Sequence, residues 1–357
     1  MLPGCEMRLA NIPGRAVRRL QRSVNRLRDR ASVRGLILAY HRIADLDFDP
    51  QLLAVSPDNF REHLDVLKRD YQSDSLRTCS SGLRARLPLV ALTFDDGYVD
   101  NFQVARPILE QADVPATFFV TSGFVDTGRE FYWDELAAML LGPNLPAGPL
   151  TVTIGMDQHV WEFTDTDLSG CPADWNVTQD TSISTRQNAY ACLCAKLKWL
   201  PDSERQRILD RVAGFCKMLR PRRDAYRVMQ SHELAELSKS NLIEIGAHTV
   251  SHPSLPALAS EVAANEIAQS KNELEAILGK VVKSFAFPYG EVTDFDNATL
   301  TALQNSGFER ACINCPGLLV SRTRPLLLPR FIVRNWNGEE FARQLRHWLT
   351  QPTVVYL

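Results

Sequence analysis

Two carboxylates stand side by side in Leu92-Thr93-Phe94-Asp95-Asp96-Gly97-Tyr98, directly after an apolar run. An aspartate pair at the end of a buried segment is costly unless something neutralises it. One carboxylate on a metal ion, with its neighbour holding a proton, would do so. A solvated Asp-Gly turn is the plainer alternative. Further along, Ala247-His248-Thr249-Val250-Ser251-His252-Pro253 puts two histidines four apart after another strand-like segment. Pro253 argues for a loop or first turn rather than a helix face. Neutral imidazole is a common transition-metal ligand. A lone histidine is more often structural, but one carboxylate with two histidines, all at strand ends, suits a metal. That set also leaves coordination positions open for water and substrate, as catalysis requires.

Residues so far apart in the chain need a scaffold that gathers them. Apolar runs at Leu36–Tyr40, Leu89–Phe94, Ala116–Val120, Leu242–Ile245, Val281–Phe287, Arg310–Ile313 and Phe331–Val333 read as strands. Helical patterns lie between them, at Asn59–Tyr71, Phe102–Gln111, Ala257–Leu278 and Ala298–Ser306. Short buried strands alternating with helices predict parallel β/α units. No glycine-rich dinucleotide turn follows any strand, which favours a barrel over a doubly wound sheet. The rhythm breaks over 126–229, read as an insertion with a hairpin at Leu150–Phe163 and helical segments over Arg186–Met218. It follows a strand, so it belongs on the face where β/α loops build active sites. A lid and a decorative subdomain remain equal readings.

The 357 residues are 45% apolar and 23% charged, with a net charge of -2. This is an ordinary globular composition with no pull toward nucleic acid. The charge is uneven: residues 1–34 hold nine arginines against Glu6 and Asp29. Val17, Leu20, Val24 and Leu27 recur there at helical spacing, which reads as a basic amphipathic helix. It could touch an anionic membrane surface through 15–34, or pack on the body of the protein. No apolar stretch long enough for a secretory signal or a membrane span occurs. The eight scattered cysteines suggest reduced thiols, and Cys312-x-x-Cys315 lacks a second pair. These features lead us to expect a cytoplasmic protein, with peripheral contact at the inner membrane face as a further expectation.

The motifs together resemble the polysaccharide deacetylases, carbohydrate esterase family 4 with its NodB homology domain. Thr93–Gly97 matches TFDDG, His248–His252 matches H-[ST]-x-x-H, and Phe287-Pro288-Tyr289-Gly290 matches the third motif ending in P-Y-G. The resemblance spans roughly 35–125 and 230–335. It implies a distorted (β/α)7-type barrel over 35–357, carrying the large, mainly helical insertion. It also implies a metal held by Asp96, His248 and His252, with Asp95 as general base. Zinc suits these ligands, and cobalt or nickel also fit. A divalent ion can bring the pKa of water from about 16 to near 7. Asp95 could then take the proton as that water attacks an acetamide. The motif around Pro288 and Tyr289 would contribute a backbone N–H, that of Tyr289, to the oxyanion.

The sequence departs from the family pattern in two places. The arginine that usually precedes the motif proline is replaced by Ala286, and Arg330 in Leu328-Pro329-Arg330-Phe331 is a candidate substitute. The late strand-borne histidine that normally acts as general acid is missing, since His347 lies in a helical pattern. His41, after Tyr40 at the end of the first strand, is the alternative, as in a permuted subgroup of the family. Trp133 and Asp134 could line a sugar subsite, as could Trp336, or serve as core residues. The expected reaction is removal of an N-acetyl group from an amino sugar in a glycan, glycolipid or sugar precursor. A non-sugar amide, an O-acetyl ester, or glycan binding without catalysis are the alternatives.

Overall fold

The computed structural model describes residues 35–81, 87–143, 145–164, 171–179 and 184–350. The expected basic helix, and with it the membrane contact through 15–34, lies outside the described residues. Among those described, no helix is long and apolar enough to cross a membrane.

The strands are β1 (Gly35–Tyr40), the short β2 (Arg42–Ile43), β3 (Ala54–Val55) and β4 (Gln72–Ser73), β5 (Leu89–Phe94), β6 (Ala116–Val120), the hairpin β7 (Gly148–Ile154) and β8 (Asp157–Phe163), β9 (Ile243–Ala247), β10 (Ser284–Ala286), β11 (Arg310–Ile313), β12 (Leu328–Pro329) and β13 (Phe331–Ile332). The main sheet runs β12-β11-β10-β9-β6-β5-β1-β13, with every pairing parallel. β12 and β13 are two halves of one extended segment. Its first half pairs with β11 and its second with β1, so Leu328–Ile332 closes the sheet into a barrel. β1 and β5 are buried at every position, the apolar pattern expected of strands covered on both faces.

Helices Pro57–Asp70, Ser260–Leu278 and Asn297–Asn305 wrap the barrel. Their ends are set locally. Ser56 caps the first through Asn59 N–H, and Asp296 forms a reciprocal capping box with Thr299. Two sequence expectations shift. The strand predicted over Val281–Phe287 is only three residues long, and the long helix begins at Ser260 rather than Ala257, after a 3-10 turn at Leu255–Ala257.

Between β6 and β9 the chain forms helix Tyr132–Leu136 with its π-turn extension Ala137–Leu141, the β7–β8 hairpin, and helices Thr185–Leu197 and Asp202–Cys216. Leu150, Trp161, Leu193 and Leu209 of this stretch are buried in the same apolar cluster as the barrel residues Leu38, Phe94 and Phe118. The helices therefore sit on the barrel as part of one core. Arg220 on Glu135 and Arg223 on Glu130 tie its last segment back to its first.

Candidate active site

Because the staves are parallel, their carboxyl ends meet at one mouth, where β/α folds build active sites. Asp95 and Asp96 follow β5, His248 follows β9, Phe287-Pro288-Tyr289 follows β10 and His41 follows β1. The ladder continues one residue past the strands and holds these side chains in place. Asp95 N–H donates to Tyr40 O (3.0 Å), His248 N–H to Val120 O (3.0 Å) and Phe287 N–H to Cys312 O (3.1 Å).

Beyond those bonds the backbone turns sharply. Asp96, Thr249, His252 and Tyr289 all have φ between 58° and 73°. Non-glycine residues in this region carry strain, which gathers where a site demands a particular side-chain direction. Gly97 follows Asp96 at φ +82°, and a Cβ there would lie 3.0 Å from Val120. Only glycine meets both conditions.

Asp96, His248 and His252 converge. The Asp96 Oδ1 lies 3.5 Å from His248 Nε2 and 3.2 Å from His252 Nε2, and one ligand atom from each falls within 4.8 Å of the others. His248 Nδ1–H donates to Ala286 O at 2.8 Å, which turns Nε2 toward Asp96. Burial pushes His252 down to about 4. Burial would raise Asp96, but its contacts with both imidazoles hold the carboxyl well below the usual carboxylate range. Two imidazole nitrogens and a carboxylate at these distances, all buried, are a donor set that a divalent cation completes. No other cluster of three such ligands occurs among the described residues, so Cys312 and Cys315 join none.

Asp95 lies beside this set with a different partner. Arg330, between β12 and β13, forks it through Nη1–Oδ1 (2.7 Å) and Nη2–Oδ2 (2.6 Å), and also reaches Thr93 Oγ1 at 3.0 Å. Both side chains are buried. Burial would raise the Asp95 carboxyl, and Arg330 outweighs it and keeps the pKa low. The guanidinium lies behind Asp95 and does not line the cavity.

The cavity holds about 280 Å3 and is lined by His41, Asp95, Asp96, Trp133, Lys198, His248, His252, Tyr289 and Arg334, among others. The Tyr289 N–H has no acceptor among the described residues. Its ring packs on His252 at 4.8 Å and its hydroxyl meets that of Tyr132 at 3.1 Å. Pro288 is buried, outside the lining. Trp133 presents its ring edge-on to His252 at 5.1 Å and donates Nε1–H to Tyr98 at 2.9 Å. Asp134 accepts from the Tyr98 hydroxyl at 2.6 Å and faces a neighbouring cavity instead. Burial pushes its carboxyl up to about 7. Trp336 lies outside the cavity, as does His63 beneath it. His347 is exposed on helix Gly338–Thr350.

Sequence reasoning passed over several supports. Arg205, buried in the second long helix of the insertion, donates from Nη1 to Ser251 O (3.0 Å) and His252 O (3.1 Å). Glu266 accepts the N–H groups of Val250 and Ser251 at 2.8 Å each. Lys198 reaches over Tyr289 and pairs with Asp294 at 3.0 Å. Nothing in the local sequence marks these residues, because their partners are distant in the chain.

The family model described as polysaccharide deacetylase matches residues 84–143 and 220–311. The chain carries a polysaccharide deacetylase domain. Such a domain is a hydrolase acting on carbon–nitrogen bonds other than peptide bonds, with glycans as its substrate class. The fold is shared with solved deacetylases. A polysaccharide deacetylase from Bacillus cereus is 18% identical, with a TM-score of 0.51 over 87% of this chain and 68% of that one. The Streptococcus pyogenes deacetylase PplD is 19% identical, with a TM-score of 0.51 over 88% and 99%. IcaB from Ammonifex degensii is 17% identical, with a TM-score of 0.53 over 90% and 98%. No curated protein matches the sequence. As a distorted (β/α) barrel with a helical insertion, this deacetylase domain has the architecture expected from its sequence.

Proposed function

We propose that the protein is a metal-dependent de-N-acetylase of N-acetylated amino sugars, with Asp95 as general base and His41 as general acid. The observation that carries this reading is the Asp95–Arg330 pair beside the buried Asp96, His248 and His252, all at one mouth of the barrel. Asp96, His248 and His252 would hold the ion, with zinc the best match to the ligand set and cobalt or nickel acceptable. Bound there, a divalent ion polarises the acetamide carbonyl and makes water nucleophilic near neutral pH.

The chain's own residues do the rest. Asp95, kept ionised and correctly turned by Arg330, takes a proton as water oxygen bonds to the carbonyl carbon. The Tyr289 N–H is free to stabilise the oxyanion. His41 gives its proton to the nitrogen as the C–N bond breaks, leaving acetate and a free amine. Burial lowers His41 more than Asp96 and Asp95 raise it, with Arg330 and Arg334 lowering it further. The resting ring is therefore neutral, and the proton it passes to nitrogen is the one Asp95 draws from the water. Trp133 offers an aromatic wall for the sugar. A cytoplasmic site of action is part of the proposal, supported by described cysteines that are all free.

The test is acetate release from N-acetylated sugars and oligosaccharides, before and after chelation and re-addition of zinc or cobalt, with Asp95→Asn alongside. Release that follows the metal and vanishes in Asp95→Asn is expected. Release that survives chelation, or is retained by Asp95→Asn, would sink the mechanism.

A further inference from the structure

Two basic side chains other than histidine line the catalytic cavity, and only one is neutralised. Lys198 is matched by Asp294 at 3.0 Å and Glu291 at 3.3 Å. Arg334, two residues beyond the closing strand segment, has no ion-pair partner among the described residues. Its Nη1 donates to the Leu52 carbonyl, and none of its other donors has an acceptor among the described residues. Asp49, whose charge reaches it, is already engaged by the N–H groups of Leu53 (3.0 Å) and Ala54 (2.8 Å). Burial pulls the guanidinium below its ordinary range, and Asp49 offsets only part of that. The group nevertheless stays charged at any working pH. A half-buried cation with spare donors in a planar fork suits a carboxylate or phosphate.

Its position adds a second argument. Arg334 is the one residue shared by the catalytic cavity and a neighbouring cavity of about 520 Å3. That neighbour is lined by Trp175, Trp336, Asn176 and Asn335, with the carboxylates of Asp45, Asp49 and Asp174 also on its wall. The Trp175 ring is buried, and its Nε1–H has no acceptor among the described residues. Half-buried Trp336, with the amides of Asn176 and Asn335 lining the same cavity, makes an aromatic and polar wall that suits a sugar ring. The guanidinium thus stands where a group attached to the reacting sugar would pass from one cavity to the next.

We propose that Arg334 is a specificity-determining residue that receives an oxyanion, phosphate or carboxylate, carried by the substrate beside its N-acetylated sugar. This deepens the deacetylase reading and rests on it. The substrate is then an anionic glycan or a glycosyl phosphate rather than a neutral chain.

Three probes test this on the full zinc-loaded chain: N-acetylglucosamine, its 1-phosphate, and a disaccharide of N-acetylglucosamine with glucuronate. Binding by calorimetry and acetate release are measured for wild type, Arg334→Gln and Arg334→Lys. In wild type at least one charged probe should exceed the neutral one by roughly 10- to 100-fold, as a charged hydrogen-bonded pair would give. The gain should appear in KM and Kd rather than kcat, and shrink with ionic strength. In Arg334→Gln the charged-to-neutral ratio should fall toward one, and Arg334→Lys should restore part of it. Preference for the 1-phosphate alone would identify a glycosyl phosphate, and for the uronate alone an acidic polysaccharide. Equal handling of all three probes, no measurable binding of either charged one, or a ratio unchanged in Arg334→Gln overturns the proposal. If charged probes bind through Arg334 but no acetate appears, the deacetylase reading fails and the anion site stands.

Discussion

Asp95 and Asp96 are neighbours in the chain, yet their side chains meet different partners. The left-handed turn at Asp96 sends its carboxylate to His248 and His252, while Asp95 is turned onto Arg330. Under the proposed mechanism Asp95→Asn removes the base, so acetate release should drop by roughly 10²- to 10⁴-fold. Metal content measured on the same sample should be unchanged. Arg330 has a structural consequence as well. Arg330→Met leaves a buried carboxylate unpaired and should lower stability by about 3–5 kcal/mol in urea unfolding. Arg330→Lys, which keeps the charge but loses the fork, should fall between. A Met variant as stable as wild type would mean that Asp95 is protonated or hydrated in the folded protein. The aspartate pair, the two histidines and the third motif were legible in the sequence because each is local. The Arg330–Asp95 fork could only be guessed, since it joins positions at the two ends of the barrel domain.

At the scale of elements, the helix Pro57–Asp70 buries a histidine among Phe60, Leu64 and Leu67. His63 Nε2–H donates to Trp336 O at 2.7 Å, and Nδ1 accepts from the Tyr40 hydroxyl at 3.2 Å. This neutral ring is satisfied, and burial pushes its pKa down to about 4. Unfolding frees it to titrate near 6.5. The unfolded chain therefore binds more protons between those values, and stability falls as pH drops from about 6.5 to about 4, by about 3 kcal/mol. Comparing urea unfolding of wild type and His63→Gln across that window should show the wild-type curve falling more steeply. Parallel curves would mean that His63 takes up its proton in the folded protein as readily as in the unfolded chain. The strands have their own tight contact. A Cβ on Gly246 would lie 2.5 Å from the Phe119 ring and 2.8 Å from Ser284 O. Gly246→Ala should thus cost about 1–3 kcal/mol, read from the urea midpoint. Both effects were invisible in sequence, because the partners of His63 and Gly246 lie on other elements.

At the scale of the whole molecule, the proposed metal ligands come from loops after β5 and β9, and the insertion braces one of those loops through Arg205. An ion held there would tie the loop after β5 to the loop after β9. Chelation should therefore lower Tm as well as activity. A metal at a thousandfold above its Kd contributes about 4 kcal/mol. The Tm of His248→Ala, which lacks a ligand, should be insensitive to the chelator. A wild-type Tm that ignores the chelator would argue against a bound ion at this site.

The sequence by itself determined the parallel β/α rhythm, because strands buried on both faces must be continuously apolar. It also determined the chemistry offered at strand ends, because those motifs are short and local. It did not determine how the sheet closes. That depends on one segment, Leu328–Ile332, pairing with β11 through one half and β1 through the other. This closure brings Arg330 behind Asp95 and Arg334 into the catalytic cavity. Charges from the last stave reach groups on the first ones only once the barrel is shut. Such partnerships leave no trace in local spacing, since they are set by which strands become neighbours in space.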